Sequence, residues 1–209
     1  LNSVDDLEKI VNRNPDLVFL GVKYLPVDLE GVSSEVIWLA DYLRSFGIAT
    51  TGSPSKAHRL DQNKSLAKQR VLEAGLVTSD YCVSSKVFDA EKTGIFTFPL
   101  FVKPSDRGGG MGVGVDSVVQ NYGELNAKVA SVFQLFNSPS LIEKYLSGRE
   151  FSVAILSVEK NQALCAMPLE LIAPLDEKGA RMLSAEVKIS DTEKVIQVTD
   201  PVLREKLIT

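Results

Sequence analysis

The sequence predicts an α/β protein in two parts: a parallel sheet of the nucleotide-fold type, then a mixed region that ends in antiparallel strands. Three observations carry that expectation. Asp16 to Val22 and Ile48 to Thr51 are short apolar runs on either side of a helix-like segment, the pattern of a parallel β-α-β unit. Strand-like runs and helical periodicity then alternate from Leu60 to Tyr145. Finally, Glu150 to Val158 and Ala163 to Leu171 alternate around Glu159-Lys-Asn-Gln, as two strands of an antiparallel hairpin do.

Taken in order, Val4 to Asn12 has helical spacing and Asp16 to Val22 suits a buried strand. Ser33 to Phe46 reads as a helix, with Ser33 or Ser34 to cap it, a stripe of Val36, Ile37, Ala40, Leu43 and Phe46, and Gly47 to stop it. The cluster Thr51-Gly-Ser-Pro marks a boundary near Gly52. A helix from Leu60 to Ala74 ends at Gly75, before a strand from Ser79 to Ser84. Pro99 to Lys103 makes a strand, Ser105 to Gly114 a glycine loop, Tyr122 to Phe136 a helix and Ser140 to Tyr145 a further strand. Neither an internal repeat nor a low-complexity segment is present.

With 209 residues, 44% hydrophobic and 24% charged, the chain can bury a core. A net charge of -4 without a basic run argues against a nucleic-acid partner, which would select a concentrated basic face. The longest apolar stretches, Leu17 to Val22 and Phe151 to Val158, fall far short of the roughly 20 residues of a membrane helix. Leu1 to Ile10 is acidic and polar, unlike a signal peptide, so the cytoplasm is the expected location. Cys82 and Cys165 fit reduced, buried thiols without a catalytic role. His58, the single histidine, follows a turn, is expected to be exposed, and leaves few options for a zinc site or a histidine-based triad. The absence of an initial methionine and an unfinished element at Thr209 suggest a fragment.

The residues that carry chemistry begin with Phe101-Val-Lys-Pro, where a strand fixes Lys103, and continue directly into Ser105-Asp-Arg-Gly-Gly-Gly-Met-Gly-Val-Gly. Glycines let a backbone approach a polyphosphate and turn N–H groups toward it, while an ammonium adds a point charge. The spacing fits neither a Walker loop nor the dinucleotide fingerprint. Alone, such a loop is equally a flexible hairpin beside a surface lysine. A second strand, Leu141-Ile-Glu-Lys-Tyr, delivers Glu143, and Glu150 follows. One carboxylate or a strand-end carbonyl can accept from an adenine amino group, and a second carboxylate can bind ribose hydroxyls.

In this order, FVKPSDRGGGMGVGV followed by LIEKYLSGREFSVAIL resembles the ATP-grasp region of D-alanine–D-alanine ligases, and Thr51-Gly-Ser with Gln62-Asn-Lys64 is similar to the interdomain segment of the same family. The resemblance covers most of Asp16 to Leu171. It implies a partial N-terminal Rossmann-like domain over 1–52, an ATP-grasp central domain over 53–146 and the first antiparallel strands of the C-terminal ATP-grasp domain over 147–209. It also implies that Lys64 and Lys103 contact ATP phosphates, with Lys188 as a further phosphate contact on a shorter match, Glu186-Val-Lys-Ile. Gly108, Gly109, Gly110, Met111 and Gly112, in the loop that runs to Gly114, would close over the phosphates. Glu143, Lys144, Tyr145 and Leu146 would line the adenine site, and Glu150 would hold the ribose. Without a functional role, Lys64 would share a solvated basic helix face with Lys68 and Arg70.

The family's reaction transfers the γ-phosphoryl group of ATP to a carboxylate, and an amine then attacks the acyl phosphate to form an amide. Positioning and charge neutralisation dominate such catalysis, so it needs no histidine or cysteine nucleophile. Its partners are amino acids or other carboxylate and amine substrates, with a homodimer as an expectation and cell-wall peptidoglycan precursors as the family-level pathway. Its magnesium ligands, an Asp and a Glu-x-Asn, are expected beyond Thr209. Glu159-Lys-Asn161 is read as a hairpin turn instead. Residues 1–209 alone are therefore expected to bind nucleotide weakly at most and not to turn over. Two departures concern the substrate: Gly109 stands where the family has a serine, and Ile189 where it has a tyrosine. Those changes leave open an ATP-grasp ligase for a substrate other than D-alanine, a non-catalytic ATP-binding module, or a scaffold for protein contacts.

Overall fold

The computed structural model describes residues 3–27, 35–85, 97–156, 165–177 and 179–208. The chain forms two compact units, divided between Ala67 and Lys68.

The first unit opens with α1 (Val4–Asn12), started by the Ser3 hydroxyl, which accepts from the Asp6 N–H at 3.2 Å. It continues with β1 (Leu17–Val18), β2 (Tyr24–Pro26), β3 (Val36–Trp38), α2 (Leu39–Ser45), β4 (Ala49–Thr50) and α3 (Ser55–Gln62). Strands β1 and β4 pair in parallel with Leu17 opposite Ala49, the expected β-α-β arrangement, although each strand has only two residues. Leu7, Leu25 and Leu39 form a small core.

Three local expectations change. Val36–Trp38 pairs antiparallel with β2 instead of starting the helix, and α2 begins at Leu39. Val, Ile and Trp are good strand residues, and Trp38 meets the Tyr24 ring edge-on at 5.5 Å, which a helical turn would forfeit. Ser33 and Ser34 lie outside the described residues. The helix expected over Leu60 to Ala74 is two helices, α3 and α4 (Lys64–Glu73), broken at Asn63. Asn63 adopts extended dihedrals, and its side-chain oxygen accepts from the Leu66 N–H at 3.1 Å, so it starts α4 as a cap. His58 lies inside α3 and is half-buried.

In the second unit, β5 (Tyr81–Ser84), β6 (Leu100–Pro104), β7 (Val118–Val119) and β8 (Ser140–Lys144) form an antiparallel sheet in the order β5-β8-β6-β7. Helix α5 (Tyr122–Phe136) covers one face. Its start is capped by Asn121, which accepts from the Glu124 N–H at 3.0 Å, and it ends at Asn137 in the left-handed conformation. Leu125 and Val129 pack with Leu100, Val102, Val119 and Ile142 in the main core, with Cys82 against it. A second antiparallel sheet, in the order β11-β10-β9, comprises β9 (Glu150–Leu156), β10 (Cys165–Ile172) and β11 (Lys194–Gln197), with α6 (Ala185–Ser190) and α7 (Pro201–Ile208) alongside in sequence. The hairpin of β9 and β10 matches the expected pairing, whereas its turn, with Glu159 to Asn161, lies outside the described residues. Both thiols are free. Cys82 is half-buried, but Cys165 is exposed on β10, contrary to expectation.

The core makes a direct prediction. Leu125 is fully buried at 0% exposure, so Leu125→Ala is expected to lower stability by about 2–5 kcal/mol. Leu135, 71% exposed on the same helix, should change by less than about 0.5 kcal/mol when replaced by Ala. Chemical denaturation followed by circular dichroism distinguishes the two.

Candidate functional site

Alternation along the first sheet of the second unit sends Leu100, Val102 and Ile142 to the α5 core and leaves Phe101, Lys103 and Glu143 on the opposite face. Phe101 lies opposite Glu143 on β8 and Val118 on β7, and Tyr81 of β5 also lies opposite Glu143. The sheet register therefore sets a lysine, a carboxylate and two aromatic rings side by side. Lys144 is opposite Leu100, on the α5 side of the sheet. Its own face of the strand thus leads away from Lys103, and its N–H donates to the Asp80 carbonyl at 3.2 Å.

Glu143 is buried, yet its carboxylate is fully engaged. One oxygen is bonded by the Lys103 ammonium. The other accepts from Lys68 at 2.8 Å and from the Ser79 hydroxyl at 3.1 Å. Lys68 also donates to the Ser79 hydroxyl at 2.7 Å and to the Thr78 hydroxyl at 2.8 Å, and it lies 5.2 Å from the Tyr81 ring centroid. Burial pushes the Glu143 carboxyl up, but attraction and hydrogen bonds from Lys103 and Lys68 outweigh it and hold the group below the ordinary carboxylate range. Two cations on one anion leave the cluster with a net positive charge.

The glycine loop is tied at both ends. Arg107 donates to the Phe136 carbonyl at 2.7 Å and to Asp106 at 2.9 Å, while the Ser138 hydroxyl donates to the same Asp106 carboxylate. At the far end, Gly114 N–H donates to the Ser117 hydroxyl at 3.0 Å and Ser117 N–H to the Gly114 carbonyl at 2.8 Å. Gly109, Gly110 and Gly112 all have positive φ. At Gly110 a Cβ would sit 2.7 Å from the Ala185 nitrogen and 2.8 Å from the Ser184 carbonyl carbon, so only glycine allows this close approach to the start of α6. At Gly108 and Gly109 an added Cβ would meet nothing within 4 Å. Met111 is exposed.

Beside this face lies a cleft of about 860 Å³, lined in part by Tyr145, Leu146, Glu150, Phe151, Glu170 and Arg181. Tyr145 stacks on Phe101 with ring centroids 6.3 Å apart, within an apolar cluster that includes Val118 and Met182. Arg149 grips Glu170 with two bonds of 2.7 Å across β9 and β10. Partial burial holds the Glu150 carboxyl above the ordinary carboxylate range, outweighing the opposing attraction of Lys188 and then Lys103. Lys103, Glu143, Tyr145, Leu146, Glu150, Lys188 and the glycine loop all belong to the second unit. Lys64 is the first residue of α4 and belongs to the first unit. Among the described residues no group of three or more His, Cys, Asp and Glu side chains could hold a metal ion. No described helix is long and apolar enough to cross a membrane.

Lys68 and Ser79 are site residues that the sequence reading missed. In the sequence Lys68 enters only as a companion of Lys64 and Arg70 on a basic helix face, although its position four residues after Lys64 places both on one side of α4, a usable signal. Ser79 carries no comparable mark.

Two predictions follow from this geometry. Because the folded carboxyl of Glu143 is held down, its contribution to stability is complete above the ordinary glutamate value of about 4.3 and is lost as pH falls through the lower folded value. Denaturation midpoints measured below about pH 4.3 should therefore fall less steeply in Glu143→Gln than in the wild type. Gly110→Ala is expected to cost more than about 1 kcal/mol, from left-handed backbone and the clash with α6, whereas Gly108→Ala should stay within about 0.5 kcal/mol in thermal melts.

A family profile described as "D-ala D-ala ligase C-terminus" matches residues 71–199, more than half of the chain. The D-alanine–D-alanine ligase of Chlorobaculum tepidum is 32% identical over 172 residues, covering 78% of this chain and 44% of that protein. That of Lacticaseibacillus casei is 31% identical over 111 residues, covering 53% of this chain and 30% of that protein. The chain thus spans less than half the length of these curated relatives. Among solved structures, the D-alanine–D-alanine ligase from Bacillus anthracis complexed with ATP aligns with a TM-score of 0.66 at 20% identity, over 99% of this chain and 61% of that one. The D-alanine–D-alanine ligase from Helicobacter pylori aligns with a TM-score of 0.53 at 30% identity, over 62% of this chain and 38% of that one. The helices and open sheets of the chain therefore match the fold of these ATP-grasp structures, the class that the motif order predicted, and the chain belongs to the D-alanine–D-alanine ligase family, matching its C-terminal region.

Proposed function

We propose that this chain supplies the nucleotide-binding part of an ATP-dependent carboxylate–amine ligase, with domains divided as 1–52, 53–146 and 147–209. The observation that carries the proposal is a single sheet face on which Lys103 stands in a cluster of net positive charge, beside a glycine loop tied at both ends. A polyphosphate fits that donor set: it needs cations and close backbone approach, and Gly108 and Gly109 leave open space for it.

In this reading Lys103 and Lys188 neutralise phosphate charge, and Lys64, on the resemblance alone, adds to them. Gly108, Gly109, Gly110, Met111 and Gly112 cover the phosphates. The N–H groups of Lys144 and Tyr145 donate to Asp80 and Pro99, which leaves Leu146 as the next residue along the chain whose backbone can face an adenine in the cleft. Glu150, in the same cleft, suits the ribose hydroxyls. Bound ATP would supply the phosphoryl group that activates a carboxylate for attack by an amine. The chain's own residues bind, orient and compensate charge, and among the described residues no group of three or more His, Cys, Asp and Glu is placed to hold a magnesium ion. Gly109 and Ile189, in place of serine and tyrosine, favour a substrate other than D-alanine.

Calorimetry with ATP tests the reading. Wild-type chain should bind, and Lys103→Ala should weaken binding about tenfold or more, the loss of about 1.4 kcal/mol. Equal affinity in the two proteins, or no binding to either, would count against a nucleotide site.

A further inference from the structure

We propose that Lys68 is a positioning residue that competes with Lys103 for the Glu143 carboxylate and thereby keeps the Lys103 ammonium available to an anionic ligand. The inference rests on the nucleotide reading for the nature of that ligand, but not for the clamp itself.

Glu143 is a buried carboxylate, and a buried charge must be paired. If Lys103 were its sole cation, drawing Lys103 toward a phosphate would strand the carboxylate, and that cost would be charged against every ligand. The second cation removes the conflict. Lys68 bonds one carboxylate oxygen at 2.8 Å, and Ser79 shares that oxygen at 3.1 Å, while Lys103 bonds the other oxygen. When Lys103 turns to a ligand, Glu143 and Lys68 remain a neutral, hydrogen-bonded pair. Lys68 is itself held by Thr78, Ser79 and the Tyr81 ring, so it does not follow Lys103. Its place is fixed by α4 on one side and the segment before β5 on the other. The surplus positive charge of the cluster is thus the charge that a phosphate would answer.

The clamp can be read without nucleotide, from the rate at which an acylating reagent modifies Lys103, followed by mass spectrometry on the chain as it stands. In Lys68→Met, Glu143 has Lys103 as its remaining cation and holds it harder, so Lys103 labelling should slow several-fold. Lys68→Arg, which restores a cation, should return it toward the wild-type rate. A purely structural role predicts the opposite sign: a loosened fold would expose Lys103 and speed its labelling. Lys128, buried at 7% exposure and bonded to Asp116 at 2.7 Å, provides the internal reference for such loosening. Unchanged or faster Lys103 labelling in Lys68→Met would overturn the proposal.

The second arm uses ATP. Lys68→Met should weaken ATP binding about tenfold, and Lys68→Arg, which restores the second cation, should recover most of the loss. Failure of Lys68→Arg to recover would also overturn the role of Lys68. If the labelling order holds but wild type binds no ATP, the clamp stands and the nucleotide reading falls.

Discussion

A carboxylate withdrawn from water has to be paired, and the arrangement of the second unit turns on how Glu143 meets that requirement. Its strand, β8, is the interior strand between β5 and β6, so its neighbours are dictated by ladder register more than by side-chain choice. A slip of one residue on β6 would send Lys103 into the α5 core and bring Val102 out to Glu143. The core packing of Val102 and Ile142 against Leu125 and Val129 forbids that slip, since it would expose apolar surface and bury an unpaired ammonium. The hydrophobic face thereby fixes the ionic face. The order of cause runs from α5, through register, to the spacing of charges.

The glycine loop depends on the same framework. Its first anchor is the end of α5, because Arg107 binds the Phe136 carbonyl, and the left-handed turn at Asn137 carries the chain to Ser138 and β8. Gly112 is closed in by Pro104 and Phe136, so the far limb of the loop is fixed by packing and by its φ of +74°. Gly110 meets the start of α6. What remains open is the segment between these anchors, around Gly108 and Gly109. Thus the loop is constrained where it meets protein and unconstrained where the proposed phosphate would lie.

Much of this was legible in the sequence, for identifiable reasons. The helices Val4–Asn12 and Tyr122–Phe136 follow the helical spacing of their apolar residues, and the Ser3 and Asn121 side chains cap them where that spacing begins. Strands β6 and β8 were found from short apolar runs, and Lys103 and Glu143 with them. Val36–Trp38 was misread because its apolar residues also fit a helical stripe, and only pairing with β2 and the Tyr24 ring decides for strand. Asn63 was passed over because a cap inside an apparently continuous helix looks like a surface residue. Lys68 and Ser79 were invisible for a deeper reason. Their meaning comes from Glu143, 75 and 64 positions later in the chain, and a contact of that span leaves no local period. Likewise, only strand register reveals that Lys144 lies on the face opposite Lys103.

Gly109 and Ile189, the two positions at which the resemblance implies a serine and a tyrosine, can be weighed by the same physics. Gly109 has a φ of +66°, but nothing lies within 4 Å of an added Cβ. A serine there would incur a left-handed cost of about 1–2 kcal/mol and no clash. Packing does not demand the glycine. Ile189 is 85% exposed on α6, so it serves no core, and its side chain offers no hydrogen bond where a tyrosine would offer a hydroxyl. By contrast, Gly110 is required by the backbone of α6, and Glu143 by its two lysines. Gly110 and Glu143 are thus held by their surroundings, whereas Gly109 and Ile189 can change without disturbing any packing contact. A change of substrate therefore requires no change in the sheet, the loop anchors or the ionic cluster.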